Sequence, residues 1–336
     1  MKIAIDCMGG DNGSSITIEA IKNFLSKHQD VSITAVGKKE ELKELEGLCE
    51  IIDARDVVPM EAGALEVMRM KESSMFKAVT LARNKEVDAV VSCGSTGGFL
   101  SVSTLCLKTI PGVHRAALVS PFPTKIIGKK VVVLDIGASN ENSPEELLQF
   151  GLMGRLYAQN VLGVEKPVTY LLSNGTEEGK GSPEGKIAYK LFKESNFEGF
   201  KGNIEARNAL NGEADVIVTD GYTGNIFLKG LEGVAKLMGG LVSKAFKKNL
   251  WSKIGYLHVR KGIKELKDTM DYKSTGGAML LGINGVVVKA HGSSDAYSFE
   301  CAINVAYKLT NSNIVEKIKE GLSKWKTLKS FFKRMG

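Results

Sequence analysis

The sequence predicts an α/β protein, with a mostly parallel sheet carrying helices on both faces in three layers. Three observations support this. Strand-length apolar runs alternate with segments of helical spacing along most of the chain. The 37 glycines against 7 prolines suit tight strand-to-helix turns. Several apolar runs also stop on glycine mixed with hydroxyl, amide, acid or lysine residues, as strands do where they feed a ligand crevice.

The elements follow in order. "KIAID" (2–6) reads as a buried strand, and 14–28 as a helix with Ile18, Ile21 and Leu25 on one face. "VSITAV" (31–36) is a strand and "KKEELKEL" (38–45) a charged helix. Residues 62–85 hold two short helical patterns meeting near Ser73 and Ser74. "VDAVVS" (87–92) is a strand, followed by a helix from about Gly98 to Lys108. "RAALVS" and "KKVVVLDIG" are strands. The helix over 143–162 has Ser143 as N-cap, Pro144 at its first position and Glu146 where a capping box needs it. "PVTYLLS" (167–173) and "ADVIVTD" (214–220) are strands, and "GVVVKAHGSSDAYSF" places a polar turn between a strand and a helix. Residues 226–270 read as two long helices joined by "NLWSKIGYLH", where aromatic and aliphatic residues stand beside Lys247, Lys248 and Lys253. Such a junction suits an anionic lipid interface, a dimer contact or an ordinary hairpin. The last segment, 312–336, is a basic amphipathic helix with Ile314, Ile318, Leu322, Trp325, Leu328 and Phe332 at three- or four-residue steps. It either binds a membrane surface or an acidic partner, or covers a core. The division expected is one α/β/α domain over 1–311, including the hairpin, followed by that helix.

Bulk composition narrows the class. A chain of 336 residues, 43% hydrophobic, is long enough for one large or two medium cores. Its apolar runs fall short of the roughly 20 residues that span a bilayer. The start, "MKIAIDCMGGD", lacks the apolar stretch of a signal peptide, so a cytoplasmic protein is expected. The 5 cysteines and 4 histidines show no metal-ligand spacing, and no metal or cofactor is expected. The formal net charge of +7 favours an acidic partner or anionic surface without requiring one, and no nucleic-acid partner is expected.

Six apolar runs end on glycine-bearing polar turns: "CMGGDNGSS", "CGSTGG", "IGASNENS", "NGTEEGKGS", "GYTGN" and "AHGSSD". Glycine lets backbone approach a ligand, and free N–H groups at a helix N-terminus attract an anion. One such turn needs no ligand to explain it, whereas six together predict a polar site along one sheet edge. There is no GxxxxGK[ST], and the nearest approach to GxGxxG, "GKGSPEG" (179–185), is one residue too long. A small anion such as phosphate therefore fits better than a nucleotide.

The blocks "AIDCMGGDNG", "VVSCGSTGG", "VVVLDIGA", "LLQFGLMG", "LLSNGTEEGKG", "TDGYTGNIFLKGLEG" and "GGAMLLGINGVVVKAHGSS" resemble, in this order, the bacterial acyl-acyl carrier protein:phosphate acyltransferases over about residues 1–310. The resemblance implies attack of inorganic phosphate on a fatty acyl-acyl carrier protein thioester, giving acyl phosphate for phospholipid synthesis. It also implies a homodimer, a phosphate acetyltransferase-like fold with a projecting helical hairpin, and peripheral attachment to the inner face of the cell membrane. The chain departs from the family pattern at Cys7 and Cys93 (usually Ala), at Ser95 (usually Asn), in "GASNE" and in "LLSNGTEE".

For that reaction, donors and positive charge matter more than a strong base. Ser95, Thr96, Gly97 and Gly98 are expected to bind phosphate or the thioester oxygen, with Gly9, Gly10, Asp11 and Asn12 shaping the adjoining wall. Lys180 would supply charge, or be an exposed loop lysine. Asp220, Thr223, Gly224 and Asn225 would orient ligands, or cap the following helix. His291 would donate to the oxyanion or protonate the leaving sulfur, or only hold its turn. Arg115 would help bind phosphate or merely pair with a carboxylate. Cys93 is expected to pack rather than attack. An acetyl-coenzyme A-dependent phosphate acetyltransferase and a non-catalytic membrane scaffold are the competing functions.

Overall fold

The computed structural model describes residues 1–270 and 276–335, with side chains described except at Ala64, 265–270 and 325–335. The first part of the chain forms β1 (Lys2–Asp6), α1 (Ser14–Lys27), β2 (Ser32–Gly37), β3 (Glu50–Asp53), α2 (Ala64–Arg69), α3 (Ser74–Arg83), β4 (Ala89–Ser92) and α4 (Thr96–Leu107). The middle forms β5 (Ala117–Pro123), β6 (Lys130–Leu134), α5 (Pro144–Asn160), β7 (Thr169–Ser173), α6 (Pro183–Glu194), β8 (Phe200–Glu205) and β9 (Val216–Val218). The last part forms α7 (Gly221–Lys247), α8 (Leu250–Met270), β10 (Ala278–Leu281), β11 (Val286–Lys289), α9 (Ala296–Asn311) and α10 (Ile314–Met335).

These strands make one 11-stranded sheet in the order β3-β2-β1-β4-β11-β10-β5-β6-β9-β7-β8. It is mostly parallel, as expected, and both faces are covered. One core joins the sheet to α1, α5, α6, α9 and the start of α10, and the other joins it to α2, α3, α4 and the first turns of α7. Ser143 and Glu146 form the capping box read from the sequence.

Direction is where sequence and structure part. β10 runs antiparallel to both β11 and β5, and β5 runs antiparallel to β6. The parallel set β3-β2-β1-β4-β11 therefore points opposite to the parallel set β6-β9-β7-β8. The six polar strand ends do not share one edge. Those of β1, β4 and β11 lie at one edge, and those of β6, β7 and β9 at the other. Three antiparallel steps cause the reversal: the hairpins β5–β6 through Gly128 and β10–β11 through Gly282, both glycines at positive φ, and the pairing of β10 with β5 between them.

Three local expectations are corrected. Residues 38–45 form only a single 3-10 turn at Lys43–Leu45. Leu42 and Leu45 bury there, and a charged stretch this short cannot sustain an isolated helix. The strands β3, β8 and β10 were not marked by the apolar pattern. The hairpin junction is shorter than "NLWSKIGYLH", because the Asn249 side chain accepts the Ser252 N–H at 2.8 Å and starts α8 at Leu250.

Ile314, Ile318 and Leu322 of α10 are fully buried in the core against α5, so this face covers the body rather than a membrane. Trp325, Leu328 and Phe332 lie outside the described side chains.

Candidate functional site

A cleft of about 500 Å³ opens where the sheet reverses direction. Its floor is Leu118, Ser120 and Phe122, alternate residues of β5 and so on one face, together with Ala278 at the start of β10. One end is polar, with Asp11, Thr96, Gly97, Lys289, His291 and Ser294 from the loops at the ends of β1, β4 and β11. The opposite wall is Ile136 and Gly137 after β6, with Asn225, Leu228, Lys229 and Glu232 of α7.

The polar end is built by loops locked onto one another. Asp11 N donates to Gly292 O at 2.9 Å, and Asn12 Nδ2 donates to Ser294 O at 2.8 Å. A Cβ on Gly9 would stand 2.5 Å from Gly94 Cα, and one on Gly10 would stand 2.7 Å from Cys93 Sγ. Both glycines thus let the loop after β1 lie on the loop after β4, and neither lines the cleft. Beneath them the fully buried Asp6 carboxylate accepts Ser74 Oγ and Ser92 Oγ, each at 2.6 Å.

Ser95 caps α4 by accepting Gly98 N, and its hydroxyl donates to Met60 O at 2.9 Å. Gly98 packs against Val58 and Val67. Of the four residues read as phosphate donors, Thr96 and Gly97 therefore reach the cleft, while Ser95 and Gly98 build its support. His291 is exposed on the cleft lip. Ser293 N–H donates to its Nδ1 at 3.3 Å, with Ser293 Oγ at 2.9 Å from the same atom. With Nδ1 accepting, the neutral ring carries its proton on Nε2 and can donate from there.

The remaining expected residues lie elsewhere. Lys180 is exposed and, with Ser182, Thr219 and Asp220, lines a separate crevice of about 20 Å³ at the ends of β7 and β9. Asp220 caps α7, accepting Thr223 N and Thr223 Oγ1, each at 2.8 Å. Gly224 packs on the backbone of Asp135, while Asn225 beside it faces the cleft. Arg115 pairs with Glu146 at 3.1 Å. Among the described residues no group of acidic, histidine or cysteine side chains could hold a metal ion.

Cys93 is buried, and burial, with Asp6 adding to it, pushes its thiol up to about 12. It therefore stays protonated and is no nucleophile. Its contact with Gly10 makes a coupled prediction. Gly10→Ala should lower stability by about 1–3 kcal/mol through overpacking. Cys93→Ala should restore most of that loss while keeping activity within about twofold. Thermal denaturation of the four-member cycle measures the coupling, and strict additivity would rule the contact out as the cause.

The sequence reading passed over Lys289. It ends β11, is 7% exposed and opens on the cleft. Burial lowers its ammonium to about 8, against the pull of neighbouring charges. Cys93 remains a thiol at that pH, so the counter-charges that matter are Asp6 and Asp11. The available signal was a lysine closing an apolar strand that the fold must bury on both faces.

Comparison with known proteins agrees with this architecture. The family model described as "Fatty acid synthesis protein" matches residues 1–317. The chain is 40% identical over 328 residues to a phosphate acyltransferase of Helicobacter hepaticus, covering 96% of this chain and 97% of that one. It is 39% identical over 321 residues to a phosphate acyltransferase of Staphylococcus aureus, covering 95% and 98%. Among solved structures, it resembles a phosphotransacetylase from Streptococcus pyogenes (TM-score 0.62, 16% identity, 94% of each chain covered). It also resembles a branched-chain phosphotransacylase from Enterococcus faecalis (TM-score 0.60, 14% identity, 92% and 99% covered). At these identities the structural likenesses establish the fold alone.

Proposed function

This chain belongs to the phosphate acyltransferase family, and from that premise we propose that it transfers the acyl group of a long-chain acyl-acyl carrier protein to inorganic phosphate. The products are acyl phosphate and free carrier protein, and the acyl phosphate feeds phospholipid synthesis. One observation supports this above others: a single cleft joins an apolar trough to a donor-rich polar end that holds Lys289. Leu118, Phe122, Ile136 and Leu228 suit an acyl chain, far more apolar surface than an acetyl group needs. Thr96 and Gly97 at the start of α4, with His291 on the lip, suit a phosphate and the thioester oxygen.

In this reading a phosphate oxygen forms the new C–O bond, and the C–S bond breaks with its electron pair on sulfur. The proton of monoprotonated phosphate ends on that sulfur. Nε2–H of His291 donates to the developing oxyanion. No covalent enzyme intermediate is needed, consistent with the inert thiol of Cys93.

The α7–α8 hairpin supports the finer reading of place and assembly. Leu250, Trp251 and Leu257 are exposed at its tip, beside Lys247, Lys248 and Lys253, as a peripheral contact with anionic lipid on the inner membrane face would need. Along α7, exposed Val234, Leu237, Met238 and Leu241 offer an apolar stripe to a second copy in a homodimer. No helix among the described residues is long and apolar enough to cross a membrane.

One assay separates the readings. The protein is incubated with phosphate and either long-chain acyl-acyl carrier protein or acetyl-coenzyme A, and acyl phosphate is trapped with hydroxylamine. Product from the carrier-protein thioester, at least about 100-fold faster than from acetyl-coenzyme A, is expected. Product from acetyl-coenzyme A alone would transfer the chain to the acetyltransferase reading, and product from neither would leave a scaffold.

A further inference from the structure

A buried ammonium normally has a carboxylate in contact or loses its proton. Lys289 does neither completely. Among the described residues, one of its three N–H bonds has an acceptor, the carbonyl of Ala290 next in the chain. No ion pair joins it to Asp6 or Asp11 there, and Asp6 already accepts from Ser74, Ser92 and the Met8 N–H. The remaining donors belong to a side chain that lines the cleft. Thr96 and Gly97 line the same polar end, where α4 begins with no acidic residue in its first turn. An ammonium held out of water beside a helix N-terminus is a seat for an anion.

We propose that Lys289 is the catalytic cation that receives the phosphate nucleophile, holding it between its ammonium and the start of α4. This rests on the acyl-transfer reading above. The side chain keeps its three protons throughout. It neutralises phosphate charge in the seat, while the transferred proton passes from phosphate to the leaving sulfur as described. The carboxylates nearby do not defeat this. Asp6 is occupied by its own donors, and Asp11 faces the cleft from the β1–α1 loop. The other titratable groups are Cys93, a thiol behind the seat, His291 on the lip, and Lys229 and Glu232 across the cleft on α7.

A lowered ammonium makes the seat pH-sensitive. It is charged below about 8 and loses its charge above, so phosphate capture by the free enzyme falls as pH rises through that value. Bound dianion favours the charged form, so the corresponding fall in kcat lies at higher pH than the fall in kcat/KM.

The test uses the full chain with inorganic phosphate. Calorimetric titration is run on wild type, Lys289→Met and Lys289→Arg at about pH 7 and about pH 9.5, bracketing the lysine's titration. Wild type should bind about tenfold or more weakly at the higher pH. Lys289→Met should bind about tenfold or more weakly at the lower pH and lose the pH dependence, whereas Lys289→Arg, always charged, should bind at both. In turnover, Lys289→Met should raise KM for phosphate by about tenfold and leave KM for the acyl thioester within about twofold, a split that a merely structural lysine would not produce. Phosphate affinity within about twofold of wild type in Lys289→Met, or a wild-type affinity flat across the pH range, would overturn the proposal. The wild-type titration decides even where a variant folds poorly. Lysine-dependent phosphate binding without acyl phosphate from any thioester would uphold the seat and remove the acyl-transfer reading instead.

Discussion

Alanine at position 224 is expected to cost about 3 kcal/mol or more of folding stability and nearly all acyl phosphate formation. A Cβ there would stand 1.9 Å from the Asp135 carbonyl oxygen and 2.8 Å from Thr219 Cγ2. Three residues earlier, a Cβ on Gly221 would stand 1.9 Å from the Ser139 carbonyl oxygen. The first turn of α7 therefore lies directly on the backbone that follows β6, and ordinary contact would require it to retreat by about 1.5 Å. Backbone on both sides cannot yield as a flexible side chain would. Retreat would carry Asn225, Leu228 and Lys229 away with the helix, opening one wall of the cleft. Gly230 on the same helix has open space around it, so alanine there should be neutral or add up to about 1 kcal/mol through helix propensity. Denaturant unfolding of both variants makes the comparison, and equal stabilities would show that the close approach does not constrain α7.

Gly224 also marks the limit of what the sequence made legible. The β-α alternation, the capped helix α5 and the hairpin could be read because periodicity and capping are local. Strand ends named Asp11, Thr96, Gly97, Asn225 and His291, all of which meet in the cleft. The same reading put Gly9, Gly10, Ser95, Gly98 and Gly224 among ligand contacts. In the folded chain each has a packing or capping partner that explains its residue type without any ligand. Close approach to backbone and close approach to phosphate both select glycine, so the residue type alone does not separate them. Sheet polarity was the larger omission. Periodicity is blind to strand direction, and a single reversal separates Lys180 and Asp220 from His291. Two turn signals were present: Gly128 in the short connection after "ALVSPFP", and "GING" between "AMLL" and "VVVK". Read as hairpins, they place two of the three antiparallel steps in the middle of the sheet; the third, β10 on β5, is a long-range pairing that no turn signal marks.

The second large effect is expected at Asp135, whose carboxylate organises the cleft wall that α7 rests on. It is fully buried after β6. One oxygen accepts the N–H groups of Leu118 (3.0 Å), Gly137 (3.0 Å) and Ala138 (2.8 Å), and the other accepts Ser139 N (3.0 Å) and Ser139 Oγ (2.8 Å). Burial pushes the carboxyl above its ordinary range, and these donors pull it back. Asn142 Oδ1, 3.0 Å from Ser139 Oγ, accepts the Gly221 N–H at 3.1 Å, so the cluster around Asp135 reaches the first residue of α7. This gives Ser139 an internal structural partner. Asp135→Ala strands four backbone N–H groups in the interior, a loss of about 3–5 kcal/mol. Asp135→Asn keeps the shape and one accepting oxygen but turns an NH2 group toward N–H donors, so it should lose about half as much. Both variants should also weaken activity, because Ile136 and Gly137 line the cleft and Gly137 sits against Asn225. Hydrogen exchange supplies the discriminating measurement. The amides of Gly137, Ala138 and Ser139 should lose protection in both variants, more in Asp135→Ala, while those of β1 and β2 keep theirs at matched global stability. Unchanged protection over 137–139 would show that the loop is held by packing alone, and α7 with it.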